Sequence, residues 1–205
     1  GACTVCGAKD PRWSGTERPW NDPFRDVRAS DWFYSGVKFA YQHGLFQGTA
    51  ADMFSPDAPM TRAMLVTVLW RMDGKPDTAG GSSFTDVPRG QWYTEAVAWA
   101  AENGVVNGVG GGKFEPDGNV TREQIATILY RYAGLRGVPT GGRADLGSFP
   151  DGGAVSGWAY DALSWANAAG LIAGTREGGV DYLAPQQNAT RAQVAVILMR
   201  YLGAA

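Results

Sequence analysis

One pattern occurs three times within the 205 residues of this chain. Each copy passes from a Phe-x-Asp start to a tryptophan and an apolar run, and then through two glycines and a proline-containing loop to a Thr-Arg pair. Successive tryptophans are 60 and 66 residues apart, and successive Thr-Arg pairs are 60 and 69 residues apart. A unit of about 60 residues with two helices buries too little apolar surface alone, so the copies must pack together.

Each copy predicts two helices. The first follows the tryptophan and ends at a glycine, as is typical where a left-handed residue terminates a helix; these glycines are Gly44, Gly104 and Gly170. The second helix has apolar residues at i, i+4 and i+7, which form one buried face: Leu65, Leu69 and Met72; Ile125, Leu129 and Tyr132; Val194, Leu198 and Tyr201. We therefore expect a mostly α protein with approximate threefold pseudosymmetry, in which the three second helices bundle.

The repeat also predicts how the chain is divided. Because the copies must pack together, we expect one compact unit of three repeats. The stretches 73–83 and 133–148, which are rich in glycine and proline, join the copies. The predicted segments are an N-terminal linker at 1–23 and repeats at 24–78, 79–140 and 141–205.

Composition excludes several classes of protein. Hydrophobic residues make up 44% of the chain, enough for a packed core, yet no run of about 20 apolar residues predicts a membrane span. The 18 basic and 20 acidic residues lack the excess positive charge typical of nucleic-acid binding. With one histidine, His43, and no nucleophile, metal or phosphate-binding motif, we expect neither an enzyme nor a cofactor.

Both cysteines lie near the N-terminus, in Cys3-Thr-Val-Cys6-Gly7. This spacing is half of a structural zinc site, which needs four ligands. Since the chain offers no second pair, we interpret it as an incomplete half-site and expect no bound metal; an exposed pair that oxidises is the alternative. The chain opens at Gly1 without a leader pattern, so we expect an excised piece whose export signal would lie upstream.

The Thr-Arg pairs are the strongest candidate binding residues. Each threonine is placed to cap its helix: Thr61, Thr121 and Thr190. The following arginines, Arg62, Arg122 and Arg191, put a cation at the positive end of the helix dipole, which is unfavourable. An anion at the helix start, held by amides, dipole and guanidinium, would explain three such arginines, and a carboxylate suits the guanidinium fork. Surface ion pairs are the alternative.

Further repeated residues have two interpretations each. The tryptophans Trp32, Trp92 and Trp158 contact a sugar ring or belong to the core. The glycines Gly48, Gly108 and Gly174 let a ligand approach the main chain or meet a backbone requirement. The aspartates Asp26, Asp86 and Asp151 contact ligand or tie a turn. By contrast, Arg71, Arg131 and Arg200 near the end of the second helix suit the dipole, and we interpret them as structural.

The helix starts differ at their third residue, which is Met64, Gln124 or Gln193. A glutamine can reach back to the cap amide and complete a capping box, whereas a methionine cannot. We therefore expect the first copy's helix to be less firmly tied at its start.

This pattern resembles the S-layer homology domain family, in three copies over about Phe24 to Leu202. The resemblance rests on the Phe-x-Asp-Val start, the Trp-Tyr-x-x-Ala-Val-x-Trp-Ala helix of Trp92 to Ala100, the glycines, the Phe-x-Pro loop and the Thr-Arg helix start. It implies a three-helix bundle with projecting helices and a non-catalytic anchor on the outer surface of bacteria. The implied partner is a secondary cell-wall polysaccharide attached to peptidoglycan, typically carrying pyruvate ketals and bound in grooves between repeats.

The third copy departs from the family pattern at Gly152 and Leu183, so we expect the least regular groove there. Two other functions stay open. A protein-interaction or self-assembly module would use exposed aromatic patches. A glycosidase would need two carboxylates in a sugar cleft, but the chain has six glutamates and none recurs in all three copies.

Overall fold

A computed structural model describes residues 18–203 of the chain. The described part is mostly helical. Its helices are α1 (Tyr34–Gln42), α2 (Arg62–Met72), α3 (Thr94–Glu102), α4 (Arg122–Leu135), α5 (Tyr160–Ala168) and α6 (Arg191–Tyr201). Two 3₁₀ turns, Leu146–Ser148 and Gly152–Ala154, precede α5, and the strands β1 (Thr175–Glu177) and β2 (Val180–Tyr182) form an antiparallel hairpin before α6. This hairpin occupies the longer loop of the third copy.

The predicted helix ends are confirmed. The threonines cap α2, α4 and α6 by accepting a hydrogen bond from the amide of the third helical residue. The capping box is complete at Gln124 and Gln193 and is missing at Met64. Gly44, Gly104 and Gly170 follow α1, α3 and α5 with φ of +67°, +66° and +69°. Helix α4 extends three residues into the predicted linker 133–148.

The helices pack across repeats. The closest pairs are α2 with α3, α4 with α5, and α6 with α1, so each second helix lies against the first helix of the following copy. The pair of α6 with α1 joins the two ends of the described chain. The three repeats are thus arranged in a closed cycle.

A ring of backbone hydrogen bonds closes this cycle in front of α2, α4 and α6. The amide of Met60 donates to Ala189 O, that of Ala189 to Val120 O, and that of Val120 to Met60 O, all at 2.9 Å. All three residues are fully buried. Since each repeat both donates and accepts once, removing one repeat would leave buried backbone groups without partners, which is costly.

The apolar faces of α2, α4 and α6 belong to one hydrophobic core. All nine residues of the predicted i, i+4, i+7 triplets are buried. Near the helix ends, the rings of Tyr132 on α4 and Tyr201 on α6 lie 5.9 Å apart. The arrangement of α2, α4 and α6 as a three-helix bundle stays a prediction.

The repeated aspartates tie the loop that precedes each Thr-Arg pair. Asp26 accepts hydrogen bonds from the Phe54 and Ser55 amides at 2.8 and 2.7 Å, and Asp86 and Asp151 bind the corresponding amides in their own copies. The second residue of each pair has positive φ without being glycine: Ser55, Glu115 and Ala184. These bonds hold a backbone conformation that L-residues disfavour.

The second repeated glycine is required by close packing. A Cβ on Gly108 would lie 2.5 Å from Lys113 O and 2.8 Å from the ring of Phe84, and one on Gly48 would meet Ala50 O at 2.5 Å. At Gly174 the contacts are looser, beginning at 3.0 Å. Of the two interpretations of these glycines, the backbone requirement is therefore present, because close packing leaves little room for a side chain.

Replacing Gly108 by alanine should destabilise the protein by about 1–3 kcal/mol, because Lys113 O is main chain and cannot move aside cheaply. The matched control is Gly134→Ala in the last turn of α4, where a Cβ meets nothing within 4 Å and helix propensity favours alanine. Urea unfolding measures both variants. Equal stabilities would contradict the packing account.

The hydrogen bonds that Asp86 accepts from the loop amides should make the stability of the fold depend on pH. Burial opposes ionisation, but the hydrogen bonds from the Phe114 and Glu115 amides, together with its own amide and the Lys113 charge, lower the pKa of the Asp86 carboxyl below its ordinary 3.8. Because the folded pKa is below the unfolded one, the tie stabilises the fold above about pH 4 and is lost as the pH falls towards the folded pKa.

Asp86→Ala should lose about 1–3 kcal/mol at pH 7, since two loop amides lose their acceptor. Thermal unfolding at pH 7 and pH 3 should show a smaller difference between wild type and variant at pH 3. Asp57→Ala, at an exposed carboxylate, is the control. If wild type and Asp86→Ala differ as much at pH 3 as at pH 7, the Asp86 carboxylate does not stabilise the loop through these hydrogen bonds.

Candidate functional site

The arginines of the Thr-Arg pairs lie at the junctions between repeats. Arg62, Arg122 and Arg191 are 5–7% exposed, and each guanidinium donates two hydrogen bonds to carbonyls of the next copy. Arg122 shows the pattern best: its Nε donates to Leu183 O and its Nη2 to Ala173 O, both at 2.7 Å. Arg62 binds Phe114 O and Asn107 O, and Arg191 closes the cycle by binding Phe54 O and Gln47 O.

An aromatic ring adds to two of these junctions, and a carboxylate lies near each of the three arginines. The guanidinium of Arg62 lies 4.6 Å from the Phe114 ring centroid, and that of Arg191 lies 4.7 Å from Phe54. In the third copy Leu183 replaces this ring, and Arg122 has its two carbonyl acceptors and the nearby Asp151 carboxylate. Burial lowers the pKa of each arginine, and the nearby carboxylates Asp86, Asp151 and Asp26 oppose that shift. The guanidinium groups stay charged, since arginine is not deprotonated in proteins.

The expectation that an anion binds the helix-start amides is wrong. The amides of Arg62 and Ala63 donate to Gly118 O and Pro116 O of the next copy, and the third amide donates to the Thr61 cap. The starts of α4 and α6 have the same three bonds. At all three starts, the first three helical amides are therefore bound to groups of the protein and not available to a ligand. The surface ion-pair alternative fails as well, because the arginines are buried and their partners are carbonyls.

Three grooves lie at these junctions, and each is built from three repeats. A groove is walled by the loop and second helix of one copy, the tryptophan of the following copy and the Thr-Arg arginine of the preceding copy. Groove 1 contains Arg191, Arg71 and Trp92; groove 2 contains Arg62, Arg131 and Trp158; groove 3 contains Arg122, Arg200 and Trp32. Their volumes are about 120, 440 and 500 Å³.

The difference in volume follows from the side chains behind the loop. Phe46 stands in groove 1 where Val106 and Ile172 stand in grooves 2 and 3. The larger ring fills space that the aliphatic side chains leave open. In groove 3, Thr175 and Arg176 of the hairpin add to the wall. The third copy, expected to be the least regular, has the largest groove.

The tryptophans are surface residues. Trp32, Trp92 and Trp158 are 66%, 57% and 60% exposed, so the core interpretation of these indoles is wrong. Each lies in the turn before its helix, two residues ahead of the first helical residue. Each indole therefore has a large free apolar surface at the rim of a groove built mainly by another repeat.

Some of the remaining predicted residues line the grooves, and others lie outside them. Gly108 and Gly174 line grooves 2 and 3, while Gly48 is not in the lining of groove 1. Asp26, Asp86 and Asp151 lie outside all three linings, with their carboxylates bound to loop amides. Cys3 and Cys6 lie outside the described residues. Within residues 18–203, no three His, Cys, Asp or Glu side chains are grouped to hold a metal ion.

One set of groove residues was not predicted from the sequence. Arg71, Arg131 and Arg200 line grooves 1, 2 and 3, each half-buried in the last turns of its helix. They recur at the same offset in all three copies, which was a usable signal, but the favourable helix dipole explained them without a groove. Among the residues that the structure describes, no aspartate or glutamate lines any of the three grooves. The grooves are therefore cationic.

None of the helices in the described range is both long and apolar enough to cross a bilayer.

Known proteins resemble the chain over most of this range. It is 31% identical to an endoglucanase from Bacillus sp. (strain KSM-635) over 88% of this chain and 19% of that protein. It is also 31% identical to a surface-layer 125 kDa protein of Lysinibacillus sphaericus, over 84% of this chain and 14% of that protein. An S-layer protein of Bacillus anthracis is 35% identical over 52% of this chain and 13% of its own length.

The chain thus spans about a fifth or less of each of these relatives. The S-layer homology domain family matches three stretches, 23–63, 83–126 and 148–195, one in each predicted repeat. The family and the S-layer relatives support a cell-surface anchoring module. The match covers more than half of the chain in three tandem copies, and the chain therefore belongs to the S-layer homology domain family.

Proposed function

We propose that this chain is a non-catalytic anchor that binds an acidic secondary cell-wall polysaccharide of the bacterial wall in its three grooves. The observation that carries the proposal is the threefold occurrence of two arginines and an exposed indole around a groove that, within residues 18–203, has no acidic residue in its lining. The S-layer relatives support the cell-surface location of such an anchor.

The chemistry of the grooves suits an acidic sugar. The indole presents a flat apolar face that can cover the apolar side of a sugar ring. The guanidinium groups attract negative charge, and the donor fork of an arginine matches the two oxygens of a carboxylate. A pyruvate ketal places a carboxylate on a sugar ring and so combines both features.

The same linings support a binding role without hydrolysis. Glycoside hydrolysis needs two carboxyl groups roughly 5–10 Å apart on either side of the scissile bond. Since no aspartate or glutamate lines a groove in the described part of the chain, a sugar bound there would meet no acid and base pair.

We also propose that the repeats form one compact unit, in which α2, α4 and α6 make a three-helix bundle and α1, α3 and α5 project from it. The hydrogen-bond ring of Met60, Val120 and Ala189 supports a common axis for the long helices. The contact between Tyr132 and Tyr201 supports their approach at the other end.

Binding to purified wall sacculi tests the proposal. The protein should sediment with intact sacculi and stay in solution with sacculi from which the secondary polymer has been extracted. Equal retention on both would contradict the proposal. Self-assembly predicts instead that light scattering changes on dilution and that sedimentation does not require the polymer.

Replacing Trp32, Trp92 and Trp158 together by alanine should weaken sedimentation with intact sacculi about tenfold or more, a loss of at least 1.4 kcal/mol. Because these indoles are more than half exposed, the unfolding temperature should change little. The control is Tyr160→Ala, which removes an exposed aromatic ring outside the groove linings. A triple variant that binds like wild type would remove the indoles from the site.

A further inference from the structure

The three last-turn arginines are not equivalent. Arg71 donates to Leu45 O at 2.9 Å and Arg200 donates to Leu171 O at 3.4 Å, each within its own copy. Arg131 makes neither a hydrogen bond nor an ion pair within residues 18–203. It lies half-buried in the lining of groove 2, so its donors are available to a ligand.

Groove 2 also has two carboxamide side chains in its lining, where grooves 1 and 3 have one each. Gln124 uses its oxygen to accept from the Thr121 amide at 3.1 Å, which leaves its NH₂ group for other partners. Asn107 adds a second carboxamide to the lining. Groove 1 has Met64 in the place of Gln124, and groove 3 has Ala173 in the place of Asn107.

The other two grooves are less suited to a carboxylate. Groove 1 has about a quarter of the volume of groove 2, at about 120 against 440 Å³. In groove 3 the added cation Arg176 is paired with Asp181 at 3.8 Å, which reduces its attraction for a ligand anion. Groove 2 therefore combines adequate space with a guanidinium, that of Arg131, to which no other group of the described chain is bound.

We propose that groove 2 is the principal site for the acidic sugar and that Arg131 binds its carboxylate. This inference rests on the proposed function and deepens it by naming the groove and the recognising residue. The carboxylate lies between the Arg131 guanidinium and the Gln124 amide group, while the sugar ring lies towards Trp158. A charge-assisted bond to a guanidinium is stronger than a bond between neutral groups, so Arg131 supplies selectivity for acidic over neutral sugars.

Titration calorimetry of the full chain tests the inference. The probes are the 4,6-pyruvyl ketal of an N-acetylhexosamine methyl glycoside and the same glycoside without the ketal. Arg131→Gln should weaken binding of the pyruvylated probe about ten- to a hundredfold. Arg131→Lys should retain part of the affinity, because it keeps the charge but not the fork. The control Arg25→Gln, at an exposed arginine outside the three groove linings, should change affinity less than about threefold.

A second measurement does not depend on variants. In the NMR spectrum, the indole N–H signal of Trp158 should shift at lower probe concentrations than those of Trp92 and Trp32. Arg131→Gln should also unfold at the wild-type temperature, since Arg131 has no bond within the described chain to lose.

The outcomes separate the inference from the proposed function. If wild type prefers the pyruvylated probe but Arg131→Gln binds as tightly, or if Trp92 or Trp32 responds first, the inference is wrong while the proposed function stands. If wild type does not distinguish the two probes, the acidic-sugar function fails and the inference fails with it. Selective loss in Arg131→Gln, together with an early Trp158 shift, supports both.

Discussion

The structure depends on one interaction, in which a buried arginine of each repeat binds two backbone carbonyls of the next. A charge moved out of water costs a great deal of free energy unless polar partners replace the water. Arg122 has such partners in Leu183 O and Ala173 O, and Arg62 adds the face of the Phe114 ring. The arginine after the cap is unfavourable for the helix dipole, but it is the residue that reaches across the junction. The primary role of this arginine is therefore to join two repeats.

The grooves are a consequence of these junctions. Each arginine holds the loop of the next copy, and that loop forms one wall of the groove in which the same arginine lies. Helix packing in the cycle α2 with α3, α4 with α5 and α6 with α1 then brings the tryptophan of a third copy to the rim. Every groove thus needs all three repeats, and no single repeat contains a complete site. For this reason, the two arginines and the tryptophan of any one copy lie in different grooves.

Local features could be predicted from the sequence, because they depend on residues close together in the chain. The cap at Thr121, the capping box at Gln124, its loss at Met64 and the glycine ends of the short helices all belong to this class. The partners of the arginines could not be predicted. They are backbone carbonyls 45 to 144 residues away, and a carbonyl carries no side-chain signal. The groove role of Arg131 was not predicted because the helix dipole alone explains a cation there, and the tryptophan of the same groove comes from another repeat.

The most direct test of the arginine junctions is chemical denaturation of Arg122→Met beside Arg131→Gln, two substitutions on the same helix. Methionine keeps much of the length of the arginine side chain but leaves Leu183 O and Ala173 O without their donor. We predict that Arg122→Met loses about 2–5 kcal/mol of the free energy of unfolding, while Arg131→Gln unfolds like wild type. Wild-type stability in Arg122→Met would contradict the claim that these arginines hold the repeats together.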